Sequence, residues 1–213
     1  FRSLTHDLKA APRNILGLLR MIRSRTEYKS DEIEDLYERV ANNARRSIAM
    51  VDDILNLTHM RNSTFPFEKI SIPDLFEHIM KDLMQLGLAS PFQVNYDLRL
   101  KYIYAERKKL RTILQNLIEN AIKYRHPDRP LELTIETRRR KDEYFFIVCD
   151  NGIGIPEKQV KNIFDIHFRG TNFDKETIEG RGVGLAAVKQ LVEAYKGIIE
   201  VASAQNGGST FTI

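Results

Sequence analysis

Asp150-Asn151-Gly152-Ile153-Gly154-Ile155-Pro156 opens the stretch that decides the fold of this 213-residue chain, and Gly180-Arg181-Gly182-Val183-Gly184-Leu185 closes it. The first glycine cluster follows an apolar run, and the second stands directly before a helical pattern. Glycine lacks the Cβ that holds a ligand away from backbone, and it tolerates positive φ. A helix N-terminus adds unpaired N–H groups and partial positive charge. Two such clusters predict backbone brought close to a nucleotide.

Working outward, Tyr144 to Cys149 is a nearly continuous apolar run, which predicts a central strand ending at Asp150. Leu131 to Arg138 alternates as a second strand, and His126-Pro127-Asp128-Arg129-Pro130 before it is a turn. Residues 107–124 carry Leu110, Ile113, Leu114, Leu117, Ile118 and Ala121 at helical spacing. On the other side, Pro156 to Phe164 is expected to be a short helix, and Val183 to Tyr195 a longer one. The polar stretch from Asp165 to Gly180 lacks periodicity and is expected to be a mobile loop. Ile198–Val201 and Thr210–Ile213 are expected closing strands around Gly207-Gly208. Upstream, Phe67–Ile70, Gln93–Asp97 and Lys101–Tyr104 are short strands, and a helix starting at Ser71 and Pro73 is lined by Leu75, Ile79, Leu83 and Leu86. This order predicts an α+β sandwich over 67–213, one sheet with helices on one face.

The first third is different. Leu4, Leu8, Ala11, Ile15, Leu18, Leu19 and Ile22 share one helical stripe, reaching about Thr26. Ile33, Leu36, Val40, Ala44, Ile48, Val51 and Leu55 form another, reaching about Met60, with Asp31 and Glu34 placed as a capping box. These predict an all-α helical hairpin, domain 1–62, joined to 67–213 by a linker at 61–66. Both stripes are too wide for a single partner helix, so the hairpin either packs on the rest of the chain or pairs with a second copy. The helix lengths favour a dimeric four-helix bundle. Phe1 lies inside the helical spacing, so a preceding segment is expected.

Composition narrows the classes. A net charge of +4 with Lys and Arg spread along the chain gives no nucleic-acid stripe. One cysteine, Cys149, excludes an internal disulfide and fits a reducing compartment, so a cytoplasmic domain is expected, with any membrane anchor upstream.

Asn116 and Asn120 lie four apart on the 107–124 helix, with Lys123 one turn on. Amide oxygens and an ammonium suit a phosphate-bound Mg²⁺, which takes few protein ligands; the same pair is equally an ordinary polar face. Asp150 at a strand end suits an exocyclic amine and so favours adenine, and Ser209 is placed to add a hydroxyl nearby. In order, Asn-x-x-x-Asn, Asp-x-Gly-x-Gly, Ile163-Phe164-Asp165-Ile166-His167-Phe168-Arg169-Gly170, Gly-x-Gly-x-Gly-Leu and Gly-Ser-x-Phe resemble the boxes of the ATP-binding fold of sensor histidine kinases. That Bergerat-type fold is shared with DNA gyrase, mismatch-repair and heat-shock ATPases. The resemblance implies ATP and Mg²⁺, with Asn120 as metal ligand and Asn116 beside it. It also implies Lys123 and Tyr124 on the phosphate and ribose side, Asp150 on the adenine amine, and a lid over 165–182. Gly152, Gly154, Arg169, Gly180, Gly182, Val183, Gly184, Leu185 and Ser209 complete the implied nucleotide contacts.

The same resemblance extends to Phe1-x-x-x-Thr5-His6-Asp7-Leu8-Lys9. It implies His6 as phosphoacceptor, with Asp7 taking the proton from Nδ1 while Nε2 attacks the γ-phosphate. The implied fate is transfer to an Asp of a response-regulator receiver domain, docking near Asn14, Gly17, Leu18 and Met21. Two positions depart from the family pattern. The usual proline five residues after the histidine is Ala11, and Pro12 follows it, so the helix bend shifts by one residue. The usual Thr or Asn four residues after the histidine is Ala10, whose methyl holds no water, so weak phosphatase activity is expected. The competing readings are a conformational ATPase of the same fold, which would want Glu119 as general base, and a non-catalytic dimer scaffold. The input signal belongs to a sensor upstream of Phe1.

Overall fold

The computed structural model describes residues 12–22, 31–85, 92–166, 168–171 and 182–213. The chain divides into two compact units, Phe1–Met60 and Arg61–Ile213.

In the first unit, residues 12–22 (α1) and Asp31–Asn62 (α2, which runs two residues into the second unit) are helical. The Tyr37 hydroxyl donates to the Leu19 carbonyl at 2.9 Å, fastening one helix to the other. Ala44 is buried, whereas Ile15, Leu18, Leu36, Val40 and Ile54 remain exposed. The predicted end of the first helix near Thr26 and the residues around His6 lie outside the described residues.

The second unit runs Phe67–Ser71 (β1), Ile72–Gln85 (α3), Gln93–Leu98 (β2), Tyr102–Glu106 (β3), Arg107–Lys123 (α4), Glu132–Arg140 (β4), Glu143–Asp150 (β5), Gly184–Ala194 (α5), Glu200–Ser203 (β6) and Ser209–Thr212 (β7). Five strands form one sheet in the order β2-β4-β5-β7-β6, so β5 is central, as its apolar run predicts. β2 and β4 are parallel and the remaining pairs antiparallel. Tyr96, Ile135, Val148, Phe211 and Val201 stand side by side across the five strands. Ile135, Val148 and Phe211 in that row are buried, as are Leu133 and Phe146, while their sequence neighbours are more exposed. One face of the sheet is therefore the core face. α4 covers it, burying Leu110, Ile113, Leu114, Leu117, Ile118, Ala121 and Ile122, and packs between α3 and α5.

The structure corrects two expectations. The strands do not form a single sheet, because β1 and β3 pair antiparallel with each other as a separate ribbon, from Phe67↔Glu106 to Ser71↔Tyr102. Alternation identifies strands but does not name their partners. The segment after Pro156 is not a continuous helix. A 3₁₀ turn at Glu157–Gln159 is followed by bonds from Asn162 to Gln159, Asp165 to Asn162 and Phe168 to Asp165, each spanning three residues. The expected mobile loop lies largely outside the described residues.

Candidate functional site

A cavity opens where the C-terminal half of α4, the end of β5 and the start of α5 converge. Asn120 and Tyr124 reach it from α4, Asp150 and Gly154 from the end of β5 and the loop after it, and Leu185 and Ser209 from α5 and β7. Arg169 closes another side.

The loop after β5 is held at nearly every peptide. Gly152 N–H donates to Asp150 Oδ1 at 2.8 Å, Ile153 N–H to the Tyr124 carbonyl at 3.0 Å, and Ile155 N–H to Ser203 Oγ at 2.8 Å. A Cβ on Gly152 would stand 2.4 Å from the Tyr124 carbonyl oxygen. Gly154 has φ +66, and a Cβ there would stand 1.9 Å from the Ala204 carbonyl oxygen. The glycines are thus required first by neighbouring backbone: they let the loop press against the end of α4 and the turn before β7.

Asp150 is paired with Ser209 across the sheet. Burial pushes its carboxyl up to about 6, against the Gly152 and Ser209 N–H groups and the positive charge of Arg129, which act the other way. It is thus a largely desolvated acceptor at the cavity wall, suited to a donor that replaces lost water. The Ser209 hydroxyl faces Ser203 Oγ at 2.9 Å, so at Asp150 it is the Ser209 main-chain N–H that contributes. Tyr124 is pushed above the usual phenol range by burial, with Arg169 opposing.

Asn120 Nδ2 is buried with no hydrogen-bond partner among the described residues. Amide oxygen and nitrogen exchange places by a simple rotation. This side chain therefore fits a site that offers its oxygen to a cation already carrying phosphate oxygens and water. Asn116 is placed differently: its Nδ2 donates to the Thr112 carbonyl at 2.8 Å, and a Cβ on Gly184 would stand 2.7 Å from its Oδ1. It sets the spacing of α4 and the N-terminus of α5. Lys123 pairs with Glu119 at 3.6 Å and is not among the cavity-lining residues. Gly182, Val183 and Gly184 lead into α5, with Val183 as its N-cap and Gly182 at φ +70. His6, Asp7 and Gly180 lie outside the described residues.

Several contributors were not singled out as contacts, although the apolar ones stand inside the quoted motifs. Ile153, Ile155, Ile163, Phe168 and Phe211 supply apolar wall. Gln159 lines the cavity and bonds Thr171, from Nε2 to Oγ1 at 2.6 Å. Arg129, in the turn before β4, bonds three carbonyl groups around the loop.

Residues 105–213 match the family described as histidine kinase-, DNA gyrase B-, and HSP90-like ATPase. The chain is 29% identical over 216 residues to the sensor histidine kinase YvrG of Bacillus subtilis, covering 99% of this chain and 37% of that protein. It is 26% identical over 215 residues to the histidine protein kinase SaeS of Staphylococcus aureus, covering 100% of this chain and 61% of that protein. The chain thus spans about three-fifths or less of these relatives. Full-length ShkA, solved in complex with AMPPNP, has the same fold at a TM-score of 0.66 and 19% identity, covering 99% of this chain and 44% of that one.

Proposed function

Because the chain belongs to the histidine kinase-, DNA gyrase B-, and HSP90-like ATPase family, we propose that it is the dimerisation and catalytic core of a sensor histidine kinase. It binds ATP with Mg²⁺, phosphorylates His6 and passes the phosphoryl group to an Asp of a response-regulator receiver domain. The observation that carries this reading is the cavity lined by both Asp150, a desolvated carboxylate, and Asn120, whose buried amide has no partner among the described residues.

Asp150 accepts the adenine amine, a contact that guanine cannot supply in the same place. Ile153, Ile163 and Phe211 offer apolar surface to the base. Mg²⁺, when bound, would neutralise phosphate charge, and Asn120 would be its protein ligand. Arg169 and the N–H groups opening α5 offer further positive potential to the phosphates. Asp7 takes the proton from Nδ1 of His6, leaving Nε2 free to attack the γ-phosphorus as the bond to the β-bridging oxygen breaks.

The exposed Leu36, Val40 and Ile54 on α2 and Leu18 on α1 support a homodimer through the domain 1–62 helices. The receiver docks near Asn14, Gly17, Leu18 and Met21. Glu119 counts against the conformational ATPase, since Gln115 and Lys123 occupy its carboxylate and it does not line the cavity. Among the described residues no helix is long and apolar enough to cross a membrane.

The test is incubation with γ-labelled ATP and Mg²⁺. Acid-labile, base-stable label is expected on the wild type and none on His6→Ala. Label retained by His6→Ala, or none on the wild type, refutes the reading. Ala10→Thr is expected to speed dephosphorylation of a labelled cognate receiver, about tenfold for one positioned water. Equal rates would overturn the weak-phosphatase assignment.

A further inference from the structure

The turn His126-Pro127-Asp128-Arg129-Pro130 is a connection in the sequence, yet its arginine holds two carbonyls of the site loop. Arg129 Nε donates to the Asn151 carbonyl at 2.8 Å. Its Nη2 donates to the Gly152 carbonyl at 3.0 Å and to the Asn206 carbonyl at 2.8 Å. Two of these acceptors belong to the loop after β5, and the third to the turn between β6 and β7. Asn206 N–H in turn donates to the Ile153 carbonyl at 2.7 Å, so the two turns are tied twice.

We propose that Arg129 is the positioning residue for base recognition: its fork fixes the Asn151–Gly152 peptide so that Asp150 presents its carboxylate to adenine in one orientation. The linkage is short. The Asn151 carbonyl, held by Arg129 Nε, and the Gly152 N–H, which donates to Asp150 Oδ1, are the two ends of one peptide plane, and Arg129 Nη2 holds the next carbonyl, that of Gly152. Rotation of that plane would break both of its bonds together. Asn151 is pinned as well, its Oδ1 accepting from Glu132 N–H at 2.9 Å and its Nδ2 donating to the Pro130 carbonyl at 3.0 Å. Prolines on both sides of the turn restrict its backbone and so preset where the guanidinium reaches. A planar fork satisfies several carbonyls at fixed angles; an ammonium acts as a single point charge.

Arg129 also acts by charge. It is the cation that opposes the rise of the Asp150 carboxyl, while Arg169 and Tyr124 face the same cavity from its other sides. Arg129 does not itself line the cavity. Its role therefore runs through Asp150 and Gly152, and both adenine affinity and its pH dependence respond to it.

This inference rests on the adenine-binding reading of the cavity. The test measures ADP and GDP affinity of the full chain by calorimetry at pH 6 and pH 8, together with the Asp150 carboxyl titration by ¹³C NMR. Arg129→Gln is expected to cut the preference for ADP over GDP about tenfold, with the Asp150 midpoint moving upward. Arg129→Lys is expected to leave the midpoint near the wild-type value and to lose about threefold of the preference. Equal weakening of both nucleotides by Arg129→Gln would show a structural role only and overturn the proposal. Should Arg129→Gln not fold, an unchanged preference in Arg129→Lys overturns it. If wild type binds neither nucleotide, the adenine reading fails, and an unmoved Asp150 midpoint in Arg129→Gln separately overturns the link from Arg129 to Asp150.

Discussion

At the scale of single residues, Asp150 sets a conflict between stability and function. Its carboxyl titrates near 6 in the fold, against 3.8 as an ordinary aspartate. The folded state therefore prefers the protonated form. Its contribution is fully favourable below about pH 4, is lost as pH rises to about 6, and stays lost above. At about 1.4 kcal/mol per tenfold change in proton affinity, the cost at neutral pH is on the order of 3 kcal/mol. Asp150→Asn is expected to raise the thermal midpoint at pH 7.5 while weakening ATP about 100-fold, read by calorimetry, since an amide N–H would face the adenine amine. Wild-type ATP affinity is expected to fall as pH drops through 6, because the amine prefers an ionised acceptor. Asp150 was legible in the sequence because a carboxylate at the end of an apolar run is an anomaly. Arg129 was not, because an arginine in a polar turn has many harmless explanations.

At the scale of elements, α4 is the member that fixes the site. Its apolar side is buried from Leu110 to Ile122, and its other side carries Asn116 and Asn120 toward the cavity and α5. Both sides follow from helical spacing, which is why this helix was predicted nearly to its ends. Its entrance was not. Glu106, the N-cap, is buried with Lys109 at 2.9 Å, and it accepts Phe65 N–H at 2.6 Å. Burial pushes the Glu106 carboxyl up, but the Phe65 N–H, Lys109 and Tyr195 outweigh it, and the group lies below the usual carboxylate range. The end of the expected linker is thereby anchored to the ATP-binding unit at Phe65. Lys109→Met is expected to cost about 3 kcal/mol or more in urea unfolding, because it leaves a buried carboxylate unpaired. The double variant Glu106→Gln with Lys109→Met is expected to cost less than the single one; the reverse order would remove the pair from the account of this corner. The i,i+3 spacing of this pair is local, but its burial is not, because it comes only when Phe65 and Tyr195 meet Glu106 at the start of α4.

At the scale of the whole molecule, the two units divide the work. All residues lining the nucleotide cavity lie in Arg61–Ile213, while the exposed apolar positions of α1 and α2 lie in Phe1–Met60. Leu36→Glu is expected to weaken self-association, measured by light scattering, while leaving ADP affinity within about twofold of wild type. A dimer unaffected by this change would remove the helical stripe as the interface. What the sequence determined by itself was the class of most elements, the central place of β5 and the identity of Asp150, Asn120, Tyr124, Gly154 and Ser209 as candidates. These are local properties: spacing, apolar runs and residue types whose chemistry is independent of neighbours. Only the tertiary structure decided that β1 and β3 form their own ribbon, that the segment after Pro156 winds in three-residue turns, and that Lys123 pairs with Glu119 beside the cavity. It alone brought Arg129 onto the glycine loop. Those outcomes depend on which surfaces meet, and a chain read one residue after another carries the pieces of a contact without the distance between them.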